Sequence, residues 1–237
     1  QTTITGNVTM RRLILDAEDA GLTDQRKEAT AHGLVGEERQ IAILFVDVRD
    51  STSFAESVPP FDVIHVLRRF YHHMDKAVMD NGGHIACYAG DGLMALFGIE
   101  SSECAPLQAV RTGLDMLHSV KRNIQPYVKR LFQRPFRIGV GAHFGEVVVG
   151  MVGGGLQERV TALGDAVNIA SRIERANKQA RTEFLVSEAL LREVKRQVRV
   201  GKSLNVKLPG KTGKYALHEV VGIRTARGKQ RVGARPG

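Results

Sequence analysis

A chain of 237 residues, 43% hydrophobic and 25% charged, carries enough apolar material for a buried core and is too apolar for an unfolded tether. No apolar run reaches the ~18–20 residues that cross a bilayer, and the start, Gln1-Thr-Thr-Ile, lacks the pattern of a secretory signal. Of the net charge of +9, five units follow Glu219, on Arg224, Arg227, Lys229, Arg231 and Arg235; no aromatic residues interleave with them, so the tail reads as a solvated end rather than a nucleic-acid surface.

Two cysteines, Cys87 and Cys104, lack metal-ligand spacing and point to a reducing, cytoplasmic setting. The missing initiator Met suggests a piece of a longer chain.

Residues 1–36 read as a separate segment. Met10, Leu13, Ile14, Ala17 and Ala20 recur at helical spacing, with Asn7 or Thr9 as N-cap, and Gly21, Gly33 and Gly36 punctuate the linker after them. Such an amphipathic helix needs a partner for its apolar stripe, either the body or a second copy.

The body begins near Glu37. Ile41-Ala-Ile-Leu-Phe-Val runs straight into Asp47, and its β-branched and aromatic content predicts a central strand ending at that carboxylate. A polar turn, Arg49-Asp50-Ser51-Thr52, comes next. After Pro59-Pro60 a helix is expected to about Asp80, with Val63, Val66, Leu67, Phe70, Met74, Ala77 and Val78 inward and Asn81-Gly82-Gly83 as its stop. His84 to Phe97 reads as two strands turning at Gly90-Asp91-Gly92. A second long helix is expected over 105–131. Phe136–Phe144 and Glu146–Val152 read as a hairpin about Gly145, and a helix starts close to Asp165. A strand near 184–186, a helix near 187–193 and strands near 198–206 and 214–220 complete the chain. This order is α+β of the ferredoxin-like, split βαβ type: an antiparallel sheet with helices on one face.

Three constellations could carry chemistry. Asp47 and Asp91 both reach one edge if the first strand neighbours the hairpin. Two carboxylates there either bind a hard cation such as Mg²⁺ or Mn²⁺ or serve as a cap and a turn residue. Ser51 and Thr52, with the backbone N–H groups of their turn, suit phosphate oxygens or an ordinary helix start. Asn168 and Arg172, four apart on a helix, share a face; they clamp a ribose and a phosphate or simply meet solvent.

Leu44-Phe-Val-Asp-Val-Arg-Asp-Ser-Thr52, Gly90-Asp-Gly-Leu-Met-Ala-Leu-Phe-Gly98 and Thr161-Ala-Leu-Gly-Asp-Ala-Val-Asn-Ile-Ala-Ser-Arg172 together resemble the class III adenylate/guanylate cyclase catalytic domain, in its order and spacing, over about residues 38–222. The resemblance implies that Asp47 and Asp91, with the carbonyl of Val48, hold two Mg²⁺ or Mn²⁺ ions per site. It implies that Asn168 and Arg172 orient the ribose and stabilise the transition state. Lys211 corresponds, across a gap, to a phosphate-contacting lysine. It also implies a homodimer whose two sites each take the aspartates from one chain and the Asn/Arg pair from the other. The segment before residue 37 would then relay a signal from an absent upstream sensor, leaving a catalytic domain over 37–222 and a basic tail over 223–237.

Two positions bear on the base. Thr161 matches one selecting position. At the other, adenylate cyclases usually carry Lys and guanylate cyclases Glu; this chain has Cys87, and a thiol serves neither purine well. Thr161 fits the adenylate side, so the expected reaction is ATP to 3′,5′-cyclic AMP and pyrophosphate. The alternatives are GTP or relaxed purine use, or a weakly active regulatory module.

Overall fold

In the computed structural model, residues 36–100, 104–153 and 159–224 are described. The chain divides into a unit of residues 1–37 and a unit of residues 38–237, and the sheet from residue 38 onward and its helices belong to the second. The amphipathic segment expected over residues 10–20 and the basic tail after Arg224 lie outside the described residues.

Strand β1 (Glu37–Val48) sits inside the sheet, and its sequence explains why. Ala42, Leu44, Val46 and Val48 point to one side and Ile41 and Ile43 to the other, all at most 4% exposed. A strand buried on both faces needs an unbroken apolar run, and this is the run that stops at Asp47. The two strands of the expected hairpin, β2 (His84–Ala89) and β3 (Gly92–Phe97), follow helices α1 (Ser51–Ser57) and α2 (Pro60–Asp80). β3 pairs antiparallel with β1 in a register that sets Asp47 opposite Gly92.

Further along come β4 (Ile138–Val152), β5 (Arg159–Leu163), β6 (Phe184–Ser187), β7 (Val198–Val206) and β8 (Tyr215–Ile223). The sheet order is β2-β3-β1-β4-β6-β8-β7, with β5 paired to β4. Antiparallel pairing dominates; β4 and β6 run parallel.

Helices α2 and α3 (Ala105–Ser119) cover the face that carries Leu44 and Val46, through Val66, Phe70, Met74, Ala109 and Met116. The α+β reading holds on this face. Helix α5 (Asp165–Ala180) adds a layer on the opposite face, where Ala166 and Ala170 pack with Ile41, Ile43 and Val149.

Two local expectations give way. The single helix over 105–131 is instead α3, a π-helical turn over Val120–Ile124, and α4 (Gln125–Phe132). Pro126 cannot donate and crowds the carbonyl four residues back, so the helix widens there by one residue per turn. The hairpin about Gly145 is also corrected. β4 runs straight through Gly145 and pairs with β5 only beyond it. A Cβ at Gly145 would stand 2.9 Å from the Cβ of Ala166, so this glycine admits helix α5 rather than turning the chain.

Candidate functional site

The register of β1 with β3 builds the first half of the site. Because Gly92 lies opposite Asp47, the turn residue Asp91 stands at the end of β1, and the N–H of Val48 donates to its carbonyl at 3.3 Å. Only glycine fits at 92: a Cβ would fall 2.4 Å from the Val46 carbonyl oxygen and 2.9 Å from Asp47 Oδ1. The turn is braced from α2, where the Tyr71 hydroxyl donates to the Gly90 carbonyl. Tyr71 stacks edge-on against Tyr88 at 4.9 Å, and Tyr88 donates to Asp75 at 2.9 Å.

The electrostatics of this edge are unusual for a surface carboxylate. Burial first, then the charge of Asp91 and a side-chain hydrogen bond with it, push the Asp47 carboxyl up to about 6; Arg49 and Arg175 pull the other way. A second carboxylate beside a half-buried one makes its charge costly unless a cation lies between them. Among the described residues no group of three or more His, Cys, Asp or Glu is gathered for a metal. A cation here would take oxygens from Asp47, Asp91 and the Val48 carbonyl and fill its shell with water and phosphate, which suits Mg²⁺ or Mn²⁺. The residues present therefore fit the expected ions.

Ser51 and Thr52 open α1 beside Asp47. They line a cleft of about 520 Å³ together with Asp47, Arg49, Glu174 and Lys178. Asp50 precedes the helix in the left-handed region (φ 56°) and makes no side-chain cap, so the first N–H groups of α1 are not closed by it.

The second half of the site belongs to α5. Asp165 opens the helix and pairs with Lys211 Nζ. Asn168 is exposed. The Arg172 guanidinium lies against the turn at Gly210, 3.3 Å from where a Cβ there would sit. Its Nη1 is buried and has no hydrogen-bond partner. A buried donor left unpaired costs on the order of 1–3 kcal/mol, so its persistence calls for a use.

Cys87 and Thr161 form a third strip, on β2 and β5, which lie against each other. Cys87 is half-buried and packs in the same cluster as Val160. Burial pushes its thiol up, opposed by a backbone hydrogen bond from Met94 and the charge of Arg159.

Within one chain, then, Asp47, Ser51 and Thr52 line one cleft with Asp91 at the end of β1, while Arg172 lies against the Gly210 turn, next to Lys211, which pairs with Asp165. The charges bearing on Asp47 are Asp91, Arg49 and Arg175. Sequence reasoning passed over Arg49, Arg175, Lys178 and Glu174, which crowd the aspartate edge. Glu174 is 5% exposed, and burial lifts its carboxyl to about 7 despite Arg49 at 3.0 Å. That contact is ionic and not an aligned hydrogen bond. The one signal for the pair was spacing, since each lies two residues after a candidate, Asp47 or Arg172.

Comparison with known proteins gives the family and the fold. Residues 35–220 match the family model of the adenylate and guanylate cyclase catalytic domain. An adenylate cyclase of Anabaena cylindrica is 34% identical over 187 residues, covering 77% of this chain and 37% of that protein. Adenylate cyclase 1 of Rhizobium meliloti is 29% identical over 192 residues, covering 78% and 28%. The chain thus spans well under half of the curated relatives it matches. Among solved structures, the guanylyl cyclase Cya2 superposes with a TM-score of 0.75 at 29% identity, covering 82% of this chain and 98% of that one. The adenylyl cyclase CyaB from P. aeruginosa gives 0.72 at 24% identity and the same coverage, a likeness of fold.

Proposed function

The chain belongs to the adenylate and guanylate cyclase catalytic domain family, and from that premise we propose that it converts ATP to 3′,5′-cyclic AMP and pyrophosphate at sites shared between two copies. The observation that carries this reading is the placing of Asp47 beside the Asp91 turn at the end of the central strand, while Arg172 lies against the Gly210 turn. Either half alone lacks the other's chemistry. A head-to-tail pair of chains brings each aspartate edge to the other's α5 and closes two equal sites.

Two divalent cations, when bound, would supply Lewis acidity to the ribose 3′-hydroxyl and charge for the triphosphate. Asp47, Asp91 and the Val48 carbonyl would hold them. Ser51, Thr52 and the free N–H groups of α1 would receive phosphate oxygens. Asn168 would orient the ribose so that the 3′-oxygen meets the α-phosphorus in line with the leaving pyrophosphate. Arg172, its Nη1 already desolvated, would meet the negative charge that grows in the transition state, and Lys211 would contact the phosphates. The segment before residue 37 would relay a signal from an upstream sensor.

Base choice rests on Cys87 and Thr161. Thr161 can accept from adenine N6, and the relatives named adenylate cyclases favour ATP. A second reading, relaxed purine use, is favoured by Cys87, which offers neither the donor for adenine N1 nor the acceptor for guanine. Cys87→Lys is expected to raise the ATP:GTP ratio of kcat/KM by about tenfold or more, because a buried polar partner discriminates far better than a thiol. Product assays with both nucleotides check it, and an unchanged ratio removes position 87 from base selection.

A further inference from the structure

Helix α5 faces two ways. Arg172 lies against the Gly210 turn, and Asp165 at the helix start pairs with Lys211. One turn on, Glu174 and Lys178 grip the residues that follow Asp47 in the same chain. Arg49 donates from Nη2 to the Glu174 carbonyl at 3.2 Å and sets Nη1 3.0 Å from Glu174 Oε1. The two side chains are 16% and 6% exposed. Lys178 adds a looser, exposed contact to Asp50 at 3.4 Å.

The sheet is cut to receive this clamp. A Cβ on Gly139 would lie 1.6 Å from Arg49 Nη2, and one on Gly141 only 2.1 Å from the Glu174 nitrogen. The N–H of Arg49 donates to the Arg137 carbonyl at 2.8 Å. Arg49 is therefore held at the start of β4 through its backbone and by α5 through its side chain, two residues from Asp47. A buried ion pair is a poor source of stability compared with apolar packing of the same volume. What it does supply here is a fixed distance between a helix and a strand end.

We propose that Arg49 and Glu174 are a positioning pair that couples the two active sites of the dimer. This rests on the shared-site reading. Under it, α5 serves one site with Asn168 and Arg172 and holds the aspartate edge of the other through Glu174. The clamp then fixes α5, which carries the Asn/Arg pair of the first site, against Arg49 and so against Asp47 at the second, and its loss reaches both.

The test uses two tagged chains, one carrying Asp47→Ala and the other Arg172→Ala, purified as a mixed dimer. Its single intact site takes aspartates from the second chain and the Asn/Arg pair from the first. Glu174→Gln, which keeps the shape and removes the charge, is then added to either chain. The expected result is a fall in kcat of about 10- to 100-fold in both placements, the range seen when an outer-shell partner is lost. Melting temperatures of the two versions should agree with each other. Arg49→Lys, which keeps the charge but not the fork, should not restore either one. A loss confined to the chain that supplies the aspartates overturns the coupling, as does no loss in either. If the mixed dimer is inactive before Glu174 is touched, the shared-site reading fails and this inference with it.

Discussion

Asp47→Asn and Asp91→Asn are each expected to lower kcat at least about 100-fold while raising the melting temperature of the nucleotide-free protein. The loss follows from the role: these carboxylates would be ligands, and even outer-shell partners of a metal cost about 10- to 100-fold when removed. The gain follows from the electrostatics. Asp47 is raised from 3.8 to about 6 by burial and by Asp91, so its charged form is destabilised by folding. Its contribution to stability is full below about pH 4 and lost as pH rises through about 6. At neutral pH the charge costs on the order of 1–2 kcal/mol after discounting for partial solvation. Asp47→Asn removes that cost, and Asp91→Asn removes the smaller part that the Asp91 charge adds to burial. With saturating Mg²⁺ the sign reverses for the parent protein, since the cation binds the deprotonated pair. The Mg²⁺-induced rise in melting temperature should be large at pH 7.5 and small at pH 5. Calorimetry with and without Mg²⁺ checks the stability arm, and product formation checks the catalytic one. An amide variant with parental kcat removes the aspartates from catalysis.

Arg172→Lys is expected to lose about 10²- to 10³-fold in kcat, with the apparent KM for nucleotide within a few-fold of the parent. The interaction belongs to the transition state, and a lysine cannot reproduce a planar fork. Its folding stability should hardly change, because Nη1 makes no hydrogen bond to lose. Arg172→Met, which removes an unpaired buried donor, should be equally inactive and no less stable. Steady-state kinetics beside thermal melts separate these effects. A Lys variant with undiminished kcat would mean that Arg172 acts only as a point charge.

Much of the fold was legible in the chain because short-range physics wrote it. The unbroken apolar run before Asp47 announced a strand buried on both faces, and Gly90-Asp-Gly92 announced the turn beside it. What sequence could not express was contact across distance. Gly145 looks like a turn residue on composition, yet its missing side chain is an accommodation to Ala166 on a helix about twenty residues later. Pro126 sits where the helical pattern continues on either side, so the π turn before it was invisible to periodicity. Arg49 and Glu174 are separated by 125 residues, and each alone reads as a solvated charge. Only the packing of α5 on β4, through Gly139 and Gly141, reveals that they meet.

Under the shared-site reading, the aspartates of one chain work with the arginine of another. The most direct measurement of that reading is the rate of cyclic nucleotide formation when Asp47→Ala and Arg172→Ala chains, each inactive alone, are mixed and allowed to exchange. Random pairing puts about half of the dimers in the mixed form, each with one of two sites intact, so the mixture should recover about a quarter of the parental rate. A mixture that stays inactive although exchange is verified by tag capture would contradict the account and place both halves of the site in a single chain.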